Sequence, residues 1–197
     1  MFKIKDENFN IKYAYLDAFI DKDEKSLNFG LQIKGEGKDD LFDGYEPHFN
    51  SEILLKIKPN DIKKWQDIAG KIIEWEYYPD DEDEPHALFY VFEHEEVYNT
   101  KIEFKNKDNK IIVTIKSLCD INWTEEYSNN ISLEIETEID FFGILCGKDT
   151  TENKCKKEIQ PYLDVNNLKY VQNKYDVSLM IPKDSNTETN LLVLGNY

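Results

Sequence analysis

The sequence predicts a mainly β protein: an antiparallel β-sandwich or a curled sheet, with two short helices at the margin of the α+β class. Segments rich in β-branched and aromatic residues recur at close spacing along the 197 residues. Several of these segments alternate between apolar and polar side chains, as expected for a strand with one face in the core. The strands do not alternate regularly with helices, which argues against a doubly wound α/β fold.

The first half of the chain is predicted as strands separated by polar turns. Ile11–Ile20 and Leu27–Lys34 form an antiparallel pair around the turn Asp21–Ser26. The other strands predicted in this half are Glu52–Lys58, Lys71–Tyr78 and His86–His94.

A short helix is predicted between the strands Glu52–Lys58 and Lys71–Tyr78. Asn60 or Asp61 can cap its N-terminus, and Gly70 can end it in the left-handed conformation. One apolar face follows from the helical spacing of Ile62, Trp65, Ile68 and Ala69.

The second half begins with a hairpin over Lys101–Lys105 and Lys110–Lys116, turned at Asp108-Asn109 because Asn and Asp tolerate positive φ. The clearest alternation in the chain, from Ile131 to Phe141, predicts a strand with one buried face. Thr150–Gln160 is predicted as the second short helix, and Leu163–Val171 is ambiguous. Closing strands are predicted over Tyr175–Ile181 and Leu191–Leu194.

The composition favours one domain over residues 1–197. Hydrophobic residues make up 40% of the chain and aromatic residues 13%, enough to form a core and to argue against disorder. The length is that of one ordinary domain, and the sequence shows neither repeats nor a Gly/Ser linker.

The charge points to a basic protein partner. The formal net charge is −16, all 24 positive residues are Lys, and the most acidic window runs from Glu74 to Glu96. An acidic surface repels phosphate, and bidentate recognition of guanine and phosphate is mostly the work of Arg, so direct nucleic-acid binding is not expected. Opposite charge steers association with a basic protein. The alternative interpretation is that the charge serves solubility.

The compartment is predicted to be cytoplasmic. The N-terminal residues lack a signal-peptide pattern, and no segment approaches the length of a membrane-spanning helix. Three Cys without a Cys-x-x-Cys motif do not suggest a disulfide framework.

No motif predicts catalysis, a cofactor or a metal. His86 and His94 are about 27 Å apart on a straight strand, too far to share one metal ion. Asp80–Glu84 lacks the spacing of a calcium loop. Serine-nucleophile, dinucleotide-binding and phosphate-loop motifs are absent from the sequence. The sequence is therefore interpreted as that of a non-catalytic protein.

Two acidic surfaces are candidates for binding. The first lies in the most acidic window, where aromatic residues typical of interface hot spots alternate with acids. Its predicted partner-binding residues are Glu74, Glu76, Tyr78, Asp80, Asp81, Glu82, Asp83, Glu84, Glu93, Glu95 and Glu96. The second is the row Glu134, Glu136, Glu138 and Asp140, for which Lys101, Lys105 and Lys116 are candidates for internal compensation.

This acidic, arginine-free, β-rich chain resembles the immunity proteins of bacterial toxin systems, including contact-dependent growth inhibition. The region that carries the resemblance runs from His86 to Ile144, about a third of the chain. The resemblance is one of type, without a shared motif that would transfer particular residues. It implies a non-catalytic protein that binds a cognate toxin domain, often a basic nuclease, and blocks its active site.

Three other functions remain open at this point. A nucleic-acid mimic would present a regular row of carboxylates to many DNA-binding proteins. A β-sandwich that binds a carbohydrate or metabolite would line a concave face with aromatic residues. A hydrolase would need a cleft with two acids whose pKa values are pushed apart.

Overall fold

The computed structural model describes residues 1–77, 86–173 and 176–185. The protein is mainly β, with 57% of residues in strands and 10% helical, which confirms the predicted class. The second predicted helix is confirmed as α1, Glu152–Ile159, the one α-helix among these residues. No helix of the described residues combines the length and apolar character needed to cross a membrane.

Twelve strands form one sheet in the described chain. They are β1 (Phe2–Ile4), β2 (Glu7–Phe9), β3 (Ile11–Asp21), β4 (Ser26–Gly35), β5 (His48–Ile57), β6 (Ile72–Trp75), β7 (Leu88–Tyr90), β8 (His94–Lys107), β9 (Lys110–Cys119), β10 (Ile131–Lys148), β11 (Leu168–Gln172) and β12 (Val177–Pro182).

The pairing path closes on itself. The order β10-β3-β4-β5-β7-β8 is joined back to β10 by β9, which pairs with both β8 and β10, and this is the pairing of a seven-stranded β-barrel. The pairs β1–β2 and β11–β12 attach to β10, and β6 attaches to β8. The predicted sandwich or curled sheet is therefore not confirmed in its detail.

The chain divides into two compact units, and the single domain over residues 1–197 stays a prediction. Unit 1 consists of Met1–Tyr15, Gly30–Leu54 and Ile68–Asp140, and it contains β1, β2 and β6 to β9 entirely. Its core includes Phe2, whose ring lies 6.2 Å from that of Phe9 and 6.3 Å from that of Phe89.

Unit 2 consists of Leu16–Phe29, Leu55–Asp67 and the residues from Phe141 onward, and it contains α1, β11 and β12. Phe141 lies between Phe29 and Trp65, with ring centroids at 5.9 Å and 5.5 Å. Cys155 and Ile159 bury the inner side of α1.

The strongest local patterns are confirmed. In β10 the apolar residues of the alternation from Ile131 to Phe141 are 5% exposed or less. The predicted hairpin is the pair β8–β9, and Asp108 and Asn109 turn it with φ angles of 53° and 65°. These angles fit the two-residue turn whose twist matches that of the flanking strands.

The predicted helix from Asn60 or Asp61 to Gly70 is wrong, because only Trp65–Ile68 forms a short 3-10 helix. The Asp67 carboxylate accepts hydrogen bonds from the amides of Lys63 and Lys64, at 2.9 Å and 3.1 Å. A side chain that binds the backbone locally in this way competes with helix formation.

Other boundaries also differ from the prediction. The strand predicted over His86–His94 is wrong, because Leu88–Tyr90 ends at a turn and His94 pairs back with Tyr90. The strand predicted over Lys71–Tyr78 is shorter, Ile72–Trp75, and Tyr78 lies outside the described residues. The ambiguous segment becomes a 3-10 turn, Val165–Asn167, followed by β11. Of the closing strands, β12 is found, whereas Tyr175 and Leu191–Leu194 lie outside the described residues.

Candidate partner-binding site

Among the described residues, the excess of acidic over basic side chains lies in unit 1. Its described residues include 22 Asp and Glu against 11 Lys, a net charge of −11, whereas the described residues of unit 2 include 12 of each and are neutral. All described residues of the predicted acidic window lie in unit 1. A basic molecule is therefore attracted to unit 1.

Three loops of unit 1 present aromatic side chains that contact one another. Phe92, in the β7–β8 turn, stacks on Trp123 of the β9–β10 loop with ring centroids 4.3 Å apart. Tyr45, from the loop before β5, meets Phe92 edge-on at 5.2 Å. Tyr45 is 53% exposed and Trp123 is 37% exposed. We call Tyr45, Phe92 and Trp123 the loop aromatics.

Phe42 anchors the loop aromatics from below. Its buried ring meets Phe92 at 5.9 Å and Tyr127 at 5.2 Å, both edge-on. Phe42, Asp43 and Gly44 have successive φ angles of 54°, 52° and 77°, in the left-handed region that L residues enter at a cost of about 1–2 kcal/mol each. Backbone strain of this size persists only where the surrounding packing fixes it. The buried Phe42 ring thus holds the turn that presents Tyr45.

Beside the loop aromatics lie three carboxylates, Glu93, Glu95 and Asp120, which we call the carboxylate cluster. Partial burial, followed by the negative charges of Glu93 and Asp120, raises the pKa of Glu95 above its ordinary value. Among the described residues, no lysine forms an ion pair with any of the three. The described part of the fold therefore holds these three like charges together without an ion-paired lysine.

Hydrogen bonds fix the position of Asp120. Its Oδ1 accepts from the Tyr98 hydroxyl at 2.6 Å and from the Asn130 amide at 2.8 Å. Burial, followed by the hydrogen bond to the Asp120 carboxylate, raises the pKa of Tyr98 to about 12, so its hydroxyl stays a donor. The Tyr98 ring stacks at 6.0 Å on Tyr77, which is 68% exposed.

The loop aromatics and the carboxylate cluster together form what we call the acidic patch. Carboxylates bind guanidinium and ammonium groups, and aromatic faces attract the same cations. Trp and Tyr are also frequent hot-spot residues at protein interfaces. The patch is thus suited to Lys or Arg side chains of a partner.

The structure separates the predicted partner-binding residues. Glu93 and Glu95 belong to the carboxylate cluster, and Glu96 is exposed opposite Leu88. Glu74 pairs with Lys101 at 3.2 Å, and Glu76 is exposed next to Tyr77. The predicted residues that lie outside the described residues are Tyr78, Asp80, Asp81, Glu82, Asp83 and Glu84.

The second acidic surface is partly compensated by lysines of the fold. On β10, Glu134 lies opposite Lys116 of β9 and Lys3 of β1, and Glu138 pairs with Lys110 at 2.6 Å. The candidates Lys101 and Lys105 do not form ion pairs with the acids of this row. Both pair instead with Glu103, at 2.9 Å and 2.8 Å. Two of the four acids, Glu134 and Glu138, therefore face lysines of neighbouring strands.

Sequence reasoning missed Tyr45, Asp120 and Trp123. They lie on loops far from the acidic window, and only the fold brings them beside Phe92 and Glu93. The one signal for Tyr45 and Trp123 in the sequence is an aromatic residue in a polar, glycine- or asparagine-rich loop, and no pattern in the sequence singles out Asp120. Among the residues that the structure describes, no three His, Cys, Asp or Glu side chains are arranged to hold a metal ion.

In comparisons with known proteins, no protein-family model, curated protein or solved structure matches this chain.

Proposed function

We propose that this chain is a non-catalytic inhibitor that binds a basic protein partner through the acidic patch and blocks it, as immunity proteins block their cognate toxin domains. The observation that carries the proposal is the carboxylate cluster without an internal cation, beside exposed aromatic rings. Like charges held together destabilise the free protein, and a cationic partner relieves that repulsion.

The charge distribution supports the proposal. A partner that binds nucleic acid carries clustered Lys and Arg. This positive surface is complementary to the negative charge of unit 1. An acidic patch of this kind can cover a positively charged substrate groove. Lack of Arg in this chain is no obstacle, since the partner supplies the cations.

The anchoring of the patch also supports the proposal. Phe42 packs under the loop aromatics, and Asp120 is held by two hydrogen bonds. Side chains fixed before binding lose less conformational freedom on association. The patch is therefore preorganised for a partner.

The test compares three versions of the full chain as bait in extracts of the source organism. The wild type is compared with a patch variant, E93Q/E95Q/D120N, and with a control variant, E52Q/D108N/E136Q. The control changes the charge by the same amount at exposed carboxylates outside the patch. We expect a basic protein that the wild type and the control retain and the patch variant loses.

The captured protein is then purified and its association rate is measured by stopped-flow fluorescence at low and high salt. We expect the patch variant to associate about tenfold more slowly at low salt, with a smaller difference at high salt because salt screens the charges. Equal capture by the patch and control variants would refute the proposal. Activity of the captured protein must also fall when the wild type binds, because inhibition is part of the proposal.

A further inference from the structure

Unit 2 contains a pocket whose charge is opposite to that of the chain. The pocket has a volume of about 410 Å³ and is formed by α1, the Val165–Asn167 turn, β11 and the residue after β12. Three of its lining residues are lysines, Lys156, Lys169 and Lys183, and its one lining carboxylate is Glu152. The lining thus carries two more positive than negative charges, in a chain whose net charge is −16.

The ammonium groups of the three lysines differ in their ion-pair and hydrogen-bond partners. Lys156 pairs with Glu152 at 2.6 Å, so these two charges largely cancel. The Lys169 Nζ donates to the carbonyls of Lys183 and Ser185, at 3.3 Å and 3.0 Å, which fixes the group without neutralising it. The Lys183 ammonium has no hydrogen-bond or ion-pair partner among the described residues. Two positive charges therefore remain available in the pocket.

We propose that this pocket binds a phosphate monoester, with the phosphate held by Lys169 and Lys183. A phosphate monoester carries about −1.5 to −2 charges at pH 7, which matches the two lysines that lack a carboxylate partner. Lysine binds phosphate as a point charge, and each ammonium has three N–H donors. The proposal concerns unit 2 and is independent of the acidic patch.

The rest of the pocket suits the organic part of such a ligand. Val165 and the Tyr170 ring provide apolar wall, and the Tyr170 hydroxyl is turned away to donate to the Thr150 carbonyl at 2.9 Å. Asn166 adds an amide that can bind a hydroxyl. The volume lies in the range of small-molecule sites, about 300–1,000 Å³, and exceeds the space that a bare phosphate ion needs.

The test is a titration of the full chain followed by ¹H–¹⁵N NMR, with ribose 5-phosphate, ribose and inorganic phosphate as probes. We expect ribose 5-phosphate to shift the amide signals of Asn166, Lys169 and Lys183 and to bind more tightly than inorganic phosphate. Ribose should cause no shift at these residues. The affinity should fall below pH 6, where the phosphate dianion takes up a proton and becomes the monoanion.

Lys183→Gln is the main variant, because it removes the unpaired charge and keeps the carbonyl that accepts from Lys169. We expect it to weaken binding about fivefold, the upper end for a solvent-exposed charge pair. Lys154→Gln is the matched control, since Lys154 is an exposed lysine of α1 outside the pocket lining. It should bind ribose 5-phosphate as the wild type does.

Three results would each overturn the assignment. The first is the absence of shifts at the pocket residues with ribose 5-phosphate at millimolar concentration. The second is equal affinity for inorganic phosphate and ribose 5-phosphate, which would reduce the site to a bare anion site. The third is equal weakening by the Lys183 and Lys154 variants, which would assign binding to overall charge.

Discussion

The pH dependence of stability should depend on one half-buried histidine, His48 of β5. Its Nε2–H donates to the Gln32 Oε1 at 2.8 Å, and Gln32 in turn donates to the Asn50 Oδ1. The rings of Tyr13 and Tyr90 lie 6.1 Å and 5.6 Å from the imidazole. Gln32 is 4% exposed, whereas His48 and Asn50 are half-buried.

Burial is the main cause that lowers the pKa of His48, to about 4, and the positive charge of Lys34 adds to it. In the unfolded chain the imidazole has an ordinary pKa near 6.5, so between pH 6.5 and about 4 the unfolded state binds more protons. Stability contributed by neutral His48 is complete above pH 6.5 and is lost as the pH falls toward 4. The linkage relation gives a loss of about 2 kcal/mol between pH 7 and pH 5.

The assay is urea unfolding followed by tryptophan fluorescence at pH 7, 6 and 5, for the wild type and His48→Gln. Other groups titrate in both proteins, so the difference between the two isolates His48. We expect the wild type to lose about 2 kcal/mol more than the variant between pH 7 and pH 5. Parallel pH curves would refute the reasoning, and so would an NMR titration of the His48 imidazole with a midpoint near 6.5.

Four further predictions concern other parts of the chain. Burial raises the pKa of Cys119 to about 12, so its thiol should react with Ellman's reagent at pH 8 only on unfolding. A Cβ on Gly37 would overlap the Gly44 carbonyl, so Gly37→Ala should lower the urea midpoint and weaken partner capture through the adjoining turn. Glu95→Gln should raise stability by up to about 0.5 kcal/mol in urea unfolding, since it removes like-charge repulsion at a largely solvated group, while it weakens partner binding. Asn109→Gly should raise the thermal midpoint, with a gain of up to about 1 kcal/mol, because glycine adopts positive φ without strain.

Local signals explain what the sequence could predict of the fold. The alternation from Ile131 to Phe141 and the turn Asp108-Asn109 depend on neighbouring residues alone, and both are found as β10 and as the β8–β9 hairpin. By contrast, β1 and β2 have three residues each, too few for alternation to show. They become strands because Phe2 pairs across from Phe9 and Ile135, a contact distant in the chain.

Non-local hydrogen bonds explain the failure of the predicted helix. The segment after β5 has helical spacing, yet its backbone groups bind partners elsewhere in unit 2. The Asn60 amide donates to the Pro161 carbonyl at 2.9 Å, and the Lys63 carbonyl accepts from the Asp164 amide at 2.7 Å. The Lys63 carbonyl is therefore not available to an i→i−4 bond within the segment, and no periodicity in the sequence records that competition.

Local signals in the sequence predict some residues of the candidate site, whereas non-local contacts bring in the others. Glu93 and Glu95 were predictable because the acids of the window are dense in sequence, whereas Asp120 joins them only through the β8–β9 pairing and its bond to Tyr98. The partition of charge is equally invisible in the sequence, because both units are assembled from interleaved segments. If the net charge served solubility alone, dividing it into a neutral unit 2 and an unbalanced unit 1 would bring no advantage, and concentrated like charge would only add repulsion. An excess confined to the unit with the exposed aromatic rings favours the proposed binding of a cationic partner, because opposite charge steers association.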